Sequence, residues 1–142
     1  MRITLLAVLV VLAGCESRVF HQECTGDGDN NRLCLRYVGS ESPAQGYNFD
    51  ALVWRTRSGS TWNDKVVITR ADFQNGCPHR RWISEVHSLD SAAGTAIIKV
   101  AEGDAQDGAQ QINFAYSWRE WNLLTNSEVR LLRACADPGE KF

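Results

Sequence analysis

Short alternating segments separated by turns are the feature that most constrains the fold of this chain. In the clearest of them, Ile112, Phe114, Tyr116 and Trp118 alternate with polar or small residues. A period of two is typical of a strand with one buried face, so we expect this aromatic face to point into the core. Further strand patterns occupy residues 33–38, 48–57, 65–69, 81–89, 95–101, 121–124 and 128–135. A short helix from Ser127 is the alternative for the last of these. Seven or eight short strands predict a mainly β fold, a small antiparallel sandwich or barrel.

The first residues have the pattern of an export signal. A basic residue, Arg2, precedes an apolar run over residues 3–14 that is broken only by Thr4. Twelve helical residues span about 18 Å, which is shorter than a hydrocarbon core of about 30 Å, so a transmembrane anchor is not expected. The run ends in Leu12-Ala13-Gly14-Cys15, which resembles the lipobox of bacterial lipoproteins. The alternative is an ordinary signal peptide with a cysteine near its cleavage site.

The lipobox resemblance implies a lipid-anchored envelope protein. It implies that residues 1–14 are a signal peptide and that Cys15 becomes the first residue and carries acyl chains such as palmitate. We expect residues 15–23 to form a tether and residues 24–142 a single β-rich domain. Glu16 follows the lipidated position. In enterobacterial sorting an aspartate there signals retention in the inner membrane, so the resemblance favours the outer membrane, facing the periplasm.

The cysteine count agrees with this interpretation. Of five cysteines, Cys15 is assigned to lipid, which leaves the even number expected for two disulfides in an exported chain. Cys24 and Cys34 flank a polar loop with two glycines, so we predict that they pair with each other. Cys77 and Cys135 then form the second disulfide. No zinc-ligand spacing is present, and neither a metal nor a cofactor is expected.

The charge balance limits the class of partner. The chain has 15 basic and 17 acidic residues, and a net charge of −2 argues against nucleic-acid binding. Arginine outnumbers lysine twelve to three, and several arginines adjoin aromatic residues. Trp121 lies three residues after Trp118, so we expect it on the opposite face of the strand, partly exposed and close to Arg119. Arginine and tryptophan are enriched at binding hot spots, which makes Arg119 and Trp121 candidate binding residues. The alternative is a core strand whose aromatic residues are simply buried.

A second group of polar residues lies in the middle of the chain. On a regular strand Arg81, Glu85 and His87 share one face, where they provide an anion clamp, an acid and a base. A solvated strand face with an ion pair is the simpler interpretation. We treat Arg81 and His87 as candidate binding residues and assign no catalytic residue.

Taken together, these patterns predict a binding module anchored in lipid through Cys15. Its expected partner is an envelope protein or a glycan such as peptidoglycan. The alternative is an inhibitor or immunity protein that acts against an envelope-directed enzyme. A small hydrolase that uses His79 or His87 is the third hypothesis, and we do not expect an enzyme.

Overall fold

The computed structural model describes residues 19–39, 47–73, 79–104 and 114–142, which form two four-stranded sheets. Each strand runs antiparallel to its neighbours, and the sheet orders are β1-β2-β3-β4 and β5-β6-β7-β8. The sheets pack face to face without closing into a barrel, which confirms the predicted sandwich. A short helix, α1, joins the sheets. The elements are β1 (Val19–Asp27), β2 (Asn31–Gly39), β3 (Tyr47–Ser58), β4 (Thr61–Thr69), α1 (Arg70–Phe73), β5 (His79–Asp90), β6 (Thr95–Asp104), β7 (Ala115–Asn122) and β8 (Ser127–Ala136).

The core is built from the inner faces of the two sheets. Because successive side chains of a strand point to opposite faces, Leu33 and Leu35 of β2 lie inward together, as do Ile98 and Val100 of β6. Fully burying one such side chain contributes about 1.5–3 kcal/mol to the free energy of unfolding. The core cluster comprises Leu33, Leu35, Phe49, Leu52, Val67, Ile68, Phe73, Ile83, Leu89, Ala96, Ile98, Val100, Trp121 and Leu123.

Polar contacts join β5 to the first sheet. The Tyr37 hydroxyl donates a hydrogen bond to the carbonyl of Ser84 at 3.5 Å, and burial raises the pKa of Tyr37 to about 12. The Asp27 carboxylate accepts hydrogen bonds from the Ser91 hydroxyl at 2.5 Å and the Ser91 amide at 2.8 Å. These two bonds lower the pKa of Asp27 from its ordinary value. β5 and the turn that follows it are therefore held against the first sheet by hydrogen bonds as well as by apolar packing.

The structure differs from the sequence analysis in where some elements lie. Val19–Asp27 is a strand, so the residues from Val19 to Glu23 pair with β2, although they were assigned to a tether. Ala115–Asn122 is one strand where two were predicted. The last segment, Ser127–Ala136, is a strand, and the alternative of a short helix is wrong. Within the described residues, no helix has the length and apolar character needed to cross a bilayer.

Candidate functional site

On the outer face of the first sheet, three arginines surround one tryptophan. Strand pairing places Arg32 of β2 beside Arg55 of β3, and Arg57 of β3 beside Trp62 of β4. Alternate residues of a strand share a face, so these side chains lie on the side opposite the core residue Leu33. We call Trp62 and its three arginines the Trp62 platform.

The Trp62 ring lies within cation–π range of all three guanidinium groups. The Cζ atoms of Arg32, Arg55 and Arg57 are 4.9, 5.5 and 6.0 Å from the centroid of the ring. At exposed sites each such contact contributes roughly 0.5–1 kcal/mol. Trp62 is half-buried, while Arg32 and Arg57 are exposed. The indole therefore holds the three cations in a defined arrangement that remains open to solvent.

The platform carries an excess of positive charge. Arg55 Nε donates a hydrogen bond to Asp64 Oδ1 at 2.7 Å, so one cation is paired. Arg57 Nε donates to the carbonyl of Gly59 at 2.9 Å, which fixes the side chain but leaves its charge uncompensated. Within the described ranges, neither Arg32 nor Arg57 forms an ion pair with a carboxylate. Three guanidinium groups and one carboxylate give a local charge of about +2.

Turns and a glycine explain why the platform is accessible. Gly26 of the edge strand lies opposite Arg32, so the β1 position directly beside Arg32 carries no side chain. Gly59 adopts a φ of 62°, which few other residues tolerate, and it closes the turn that brings Trp62 back beside Arg57. The Arg57 amide donates to the carbonyl of Asn30 at 2.8 Å. The platform thus lies at the end of the sheet formed by the β1–β2 and β3–β4 turns.

The residue predicted to be the exposed anchor, Trp121, lies in the core. It is 7% exposed, its ring is 5.8 Å from that of Phe73, and its indole N–H donates to Asn126 Oδ1 at 3.1 Å. Trp118 does lie on the opposite face of β7, as the alternation indicated. The prediction that Trp121 is partly exposed is nevertheless wrong, because alternation separates two faces without identifying which one packs against the other sheet.

The aromatic face of β7, which was predicted to point inward, lies on the outside of the second sheet. Trp118 pairs with Lys99 of β6, whose neighbour in the chain, Ile98, is a core residue. Trp118 is 0% exposed because residues 137–142, here called the C-terminal strap, cross that outer face. Tyr116 shares the outer face and is half-buried. Ile112, the first residue of the predicted face, lies outside the described residues.

Arg81 and Arg119 lie close together near Trp121, and nearby carboxylates compensate their charges. Arg81 Nε lies 3.4 Å from Glu102 Oε2, and Arg119 Nη2 lies 3.5 Å from Glu102 Oε1. Arg119 also forms an ion pair with Glu128. Burial lowers the pKa of the Arg81 guanidinium, whose Cζ lies 5.9 Å from the centroid of the Trp121 ring. Two cations balanced by two carboxylates make this cluster a support for the core edge, with no excess charge for a ligand.

Bulges separate the polar residues of β5 that were expected to share one face. The pairing with β6 is irregular between Ile83 and Glu85 and again between Val86 and Ser88. As a result Arg81 points to the inner face, whereas His87 lies on the outer face against Trp118, with 6.0 Å between their ring centroids.

The two histidines considered for a hydrolase lie far apart. His79 is the first residue of β5, and His87 lies eight positions further along the same strand. At about 3.3 Å per residue this corresponds to about 26 Å, so they do not share a site.

One of the two predicted disulfides is present. Cys24 and Cys34 lie opposite each other on β1 and β2 and are bonded, which confirms the local pairing. Cys135 is an exposed thiol at a bulge of β8, with φ of 53°. Cys77 lies outside the described residues, as does Cys15, so the second disulfide and the lipidation remain predictions. The described residues contain no group of three His, Cys, Asp or Glu side chains suited to hold a metal ion.

Trp62 has no arginine beside it in the sequence, so the adjacency of arginine and aromatic residues along the chain does not indicate it. Neighbours in a strand, such as Trp54 and Arg55, point to opposite faces, so adjacency does not make a cluster. The platform instead forms across three strands and depends on their register. The sequence does contain one signal for the platform. Arg55 and Arg57 lie two residues apart, just before a tight turn and a tryptophan.

No protein-family model matches the chain, and neither a curated protein nor a solved structure shows significant similarity to it.

Proposed function

We propose that this protein is a lipid-anchored binding module of the bacterial envelope, in which the Trp62 platform binds an anionic envelope glycan, with peptidoglycan as the expected polymer. The observation that carries the proposal is the convergence of three guanidinium groups on one accessible indole. Acylation of Cys15, within the lipobox-like segment, supplies the anchor, and the outer membrane is the expected location.

The position of the platform suits this arrangement. β1 begins at Val19 and ends at Asp27, and eight steps of about 3.3 Å separate its ends by about 26 Å. The platform lies at the Asp27 end, whereas Cys15 precedes Val19 by four residues, a reach of at most about 14 Å. An acylated Cys15 holds the opposite end of the sandwich near the bilayer. The platform then faces away from the membrane, toward the cell wall.

The chemistry of the platform matches a polymer of sugar rings and carboxylates. Pyranose rings present C–H groups that pack on the face of an indole, and tryptophan provides the largest such surface among the side chains. The guanidinium groups of Arg32 and Arg57 each offer paired N–H donors that fit a carboxylate. Peptidoglycan combines sugar rings with peptide carboxylates, so both elements of the platform have a partner in it.

The proposal is tested by co-sedimentation of the full-length, detergent-solubilised protein with purified peptidoglycan sacculi. We expect Trp62→Ala to weaken binding by roughly tenfold or more, as loss of an aromatic anchor does. Arg32→Gln and Arg57→Gln should each weaken binding and reduce its sensitivity to salt, because each removes one charge from the platform.

The matched control is Arg130→Gln, which removes an exposed arginine from the other sheet, where it pairs with Glu120. This variant should sediment like the wild type. Platform variants that keep the wild-type melting temperature and still sediment like the wild type would contradict the proposal.

A further inference from the structure

The outer face of the second sheet buries a lysine. Lys99 is 1% exposed, although its strand neighbours Ile98 and Val100 point to the opposite, core side. A buried ammonium group is tolerated only when its donors are satisfied. Lys99 Nζ donates hydrogen bonds at 2.9 and 2.8 Å to the carbonyls of Pro138 and Glu140, two residues of the C-terminal strap. The strap backbone thus takes the place that water usually has around this cation.

Aromatic rings complete the floor under the strap. Lys99 Nζ lies 5.6 Å from the centroid of the Tyr116 ring and 5.2 Å from that of Trp118. The Phe142 ring packs 5.3 Å from the Trp118 ring and 5.2 Å from the His87 ring, measured between centroids. The surface beneath the strap therefore offers the Lys99 cation to backbone carbonyls and the rings of Trp118 and His87 to an aromatic side chain.

Charged side chains at both edges contact the strap in a fixed order. Glu140 pairs with Arg133 of β8, and Lys141 Nζ lies 2.8 Å from Glu85 Oε1 of β5. The strap therefore crosses all four strands, a width of about 14 Å. Each of its last three residues contacts a group of matching chemistry, which is how a short bound peptide is recognised.

The strap buries the residues beneath it, although most of its own side chains stay exposed. Phe142 is 43% exposed, and Lys141 and the residues at the start of the strap are exposed as well, while Trp118 beneath them is 0% exposed. A segment with little buried apolar area opens at a lower free energy than the strands below it. Opening exposes the Lys99 ammonium and the Trp118 indole, whose N–H group has no hydrogen-bond partner among the described residues.

We propose that the outer face of the second sheet is a peptide-binding groove that the chain's own C-terminal strap fills. Its ligand is a partner protein's extended peptide that carries an acidic, a basic and an aromatic residue in direct succession. Such a peptide offers carbonyls to Lys99, an acid to Arg133, a base to Glu85 and a ring to Trp118 and His87. The groove lies on the sheet that does not carry the Trp62 platform, so this inference is independent of the proposed glycan binding.

The test uses a labelled synthetic peptide, Asp-Pro-Gly-Glu-Lys-Phe, and a shortened chain that ends after Ala136. By fluorescence anisotropy we expect the shortened chain to bind the peptide at least a hundredfold more tightly than the wild type does, because the tethered strap competes at an effective concentration in the millimolar range. A peptide with alanine in place of phenylalanine should bind at least tenfold more weakly. Lys99→Met in the shortened chain should also weaken binding at least tenfold.

A second variant keeps the test decisive if the shortened chain does not fold. The double substitution Lys141→Glu and Phe142→Ala loosens the strap but retains the two carbonyls over Lys99, and it should bind the peptide more tightly than the wild type. Absence of binding to a folded variant of either kind overturns the proposal. A wild-type chain that forms dimers, lost when the strap is removed, also overturns it, because the occupant is then a second copy.

Discussion

Replacement of Trp121 by alanine should destabilise the domain strongly. Trp121 is 7% exposed, packs against Phe73 and donates a hydrogen bond to Asn126. Truncation of a buried tryptophan to alanine costs about 3–5 kcal/mol. For a domain of this size that corresponds to a fall of about 10–20 °C in melting temperature. The more conservative Trp121→Phe retains a ring but loses the indole N–H, so we expect an intermediate fall.

Thermal unfolding followed by circular dichroism measures this effect. Trp62→Ala is the matched control, since it removes the same atoms from a half-buried ring on the outer face and should lower the melting temperature by no more than about a third as much. A melting temperature of Trp121→Ala within about 3 °C of the wild type would refute the core position of Trp121, because a ring that contributes so little is not part of the core.

Three further predictions concern the anchor, the disulfide and pH. Cys15→Ser should abolish incorporation of a fatty-acid analogue, because only a thiol forms the thioether, and equal labelling of variant and wild type would exclude lipidation at this residue. Joint replacement of Cys24 and Cys34 by alanine should lower the free energy of unfolding in urea by about 2–3 kcal/mol, and an unchanged value would show that the disulfide does not constrain the chain. Asp27, whose pKa is lowered by Ser91, stabilises the fold above its ordinary pKa of 3.8 and loses that effect as the pH falls through the lowered value. Ser91→Ala should therefore reduce the difference in melting temperature between about pH 6 and about pH 2, and a difference as large as in the wild type would count against this linkage.

The strand content of the domain could be predicted from the sequence because local alternation and turn residues specify strands. The disulfide between Cys24 and Cys34 followed from a short glycine-containing loop, and the structure has it between facing residues of β1 and β2. The orientation of β7 could not be predicted in the same way. Each of its faces carries a buried tryptophan, since Trp118 is buried by the C-terminal strap and Trp121 by the core. A period of two does not distinguish these two kinds of burial.

The candidate site could not be found from neighbouring residues alone. Arg32, Arg57 and Trp62 lie on three strands, and they meet only when the register of both strand pairs is known. Register brings the platform residues together, whereas the bulges of β5 separate Arg81 and His87 onto different faces of the sheet. Register and bulges depend on packing between strands, so single-sequence patterns contain little information about them.

Binding of an anionic glycan by the Trp62 platform can be followed through the indole N–H resonances of the five tryptophans. A proton–nitrogen correlation spectrum is recorded while a soluble peptidoglycan fragment that carries free peptide carboxylates is added to the full-length protein in detergent. We expect a progressive shift of the Trp62 indole resonance, assigned with Trp62→Phe, while the resonance of the buried Trp121 stays in place. Glycan binding at the platform would be contradicted if the fragment shifted other indole signals but not that of Trp62. It would also be contradicted if the fragment bound without shifting any indole signal.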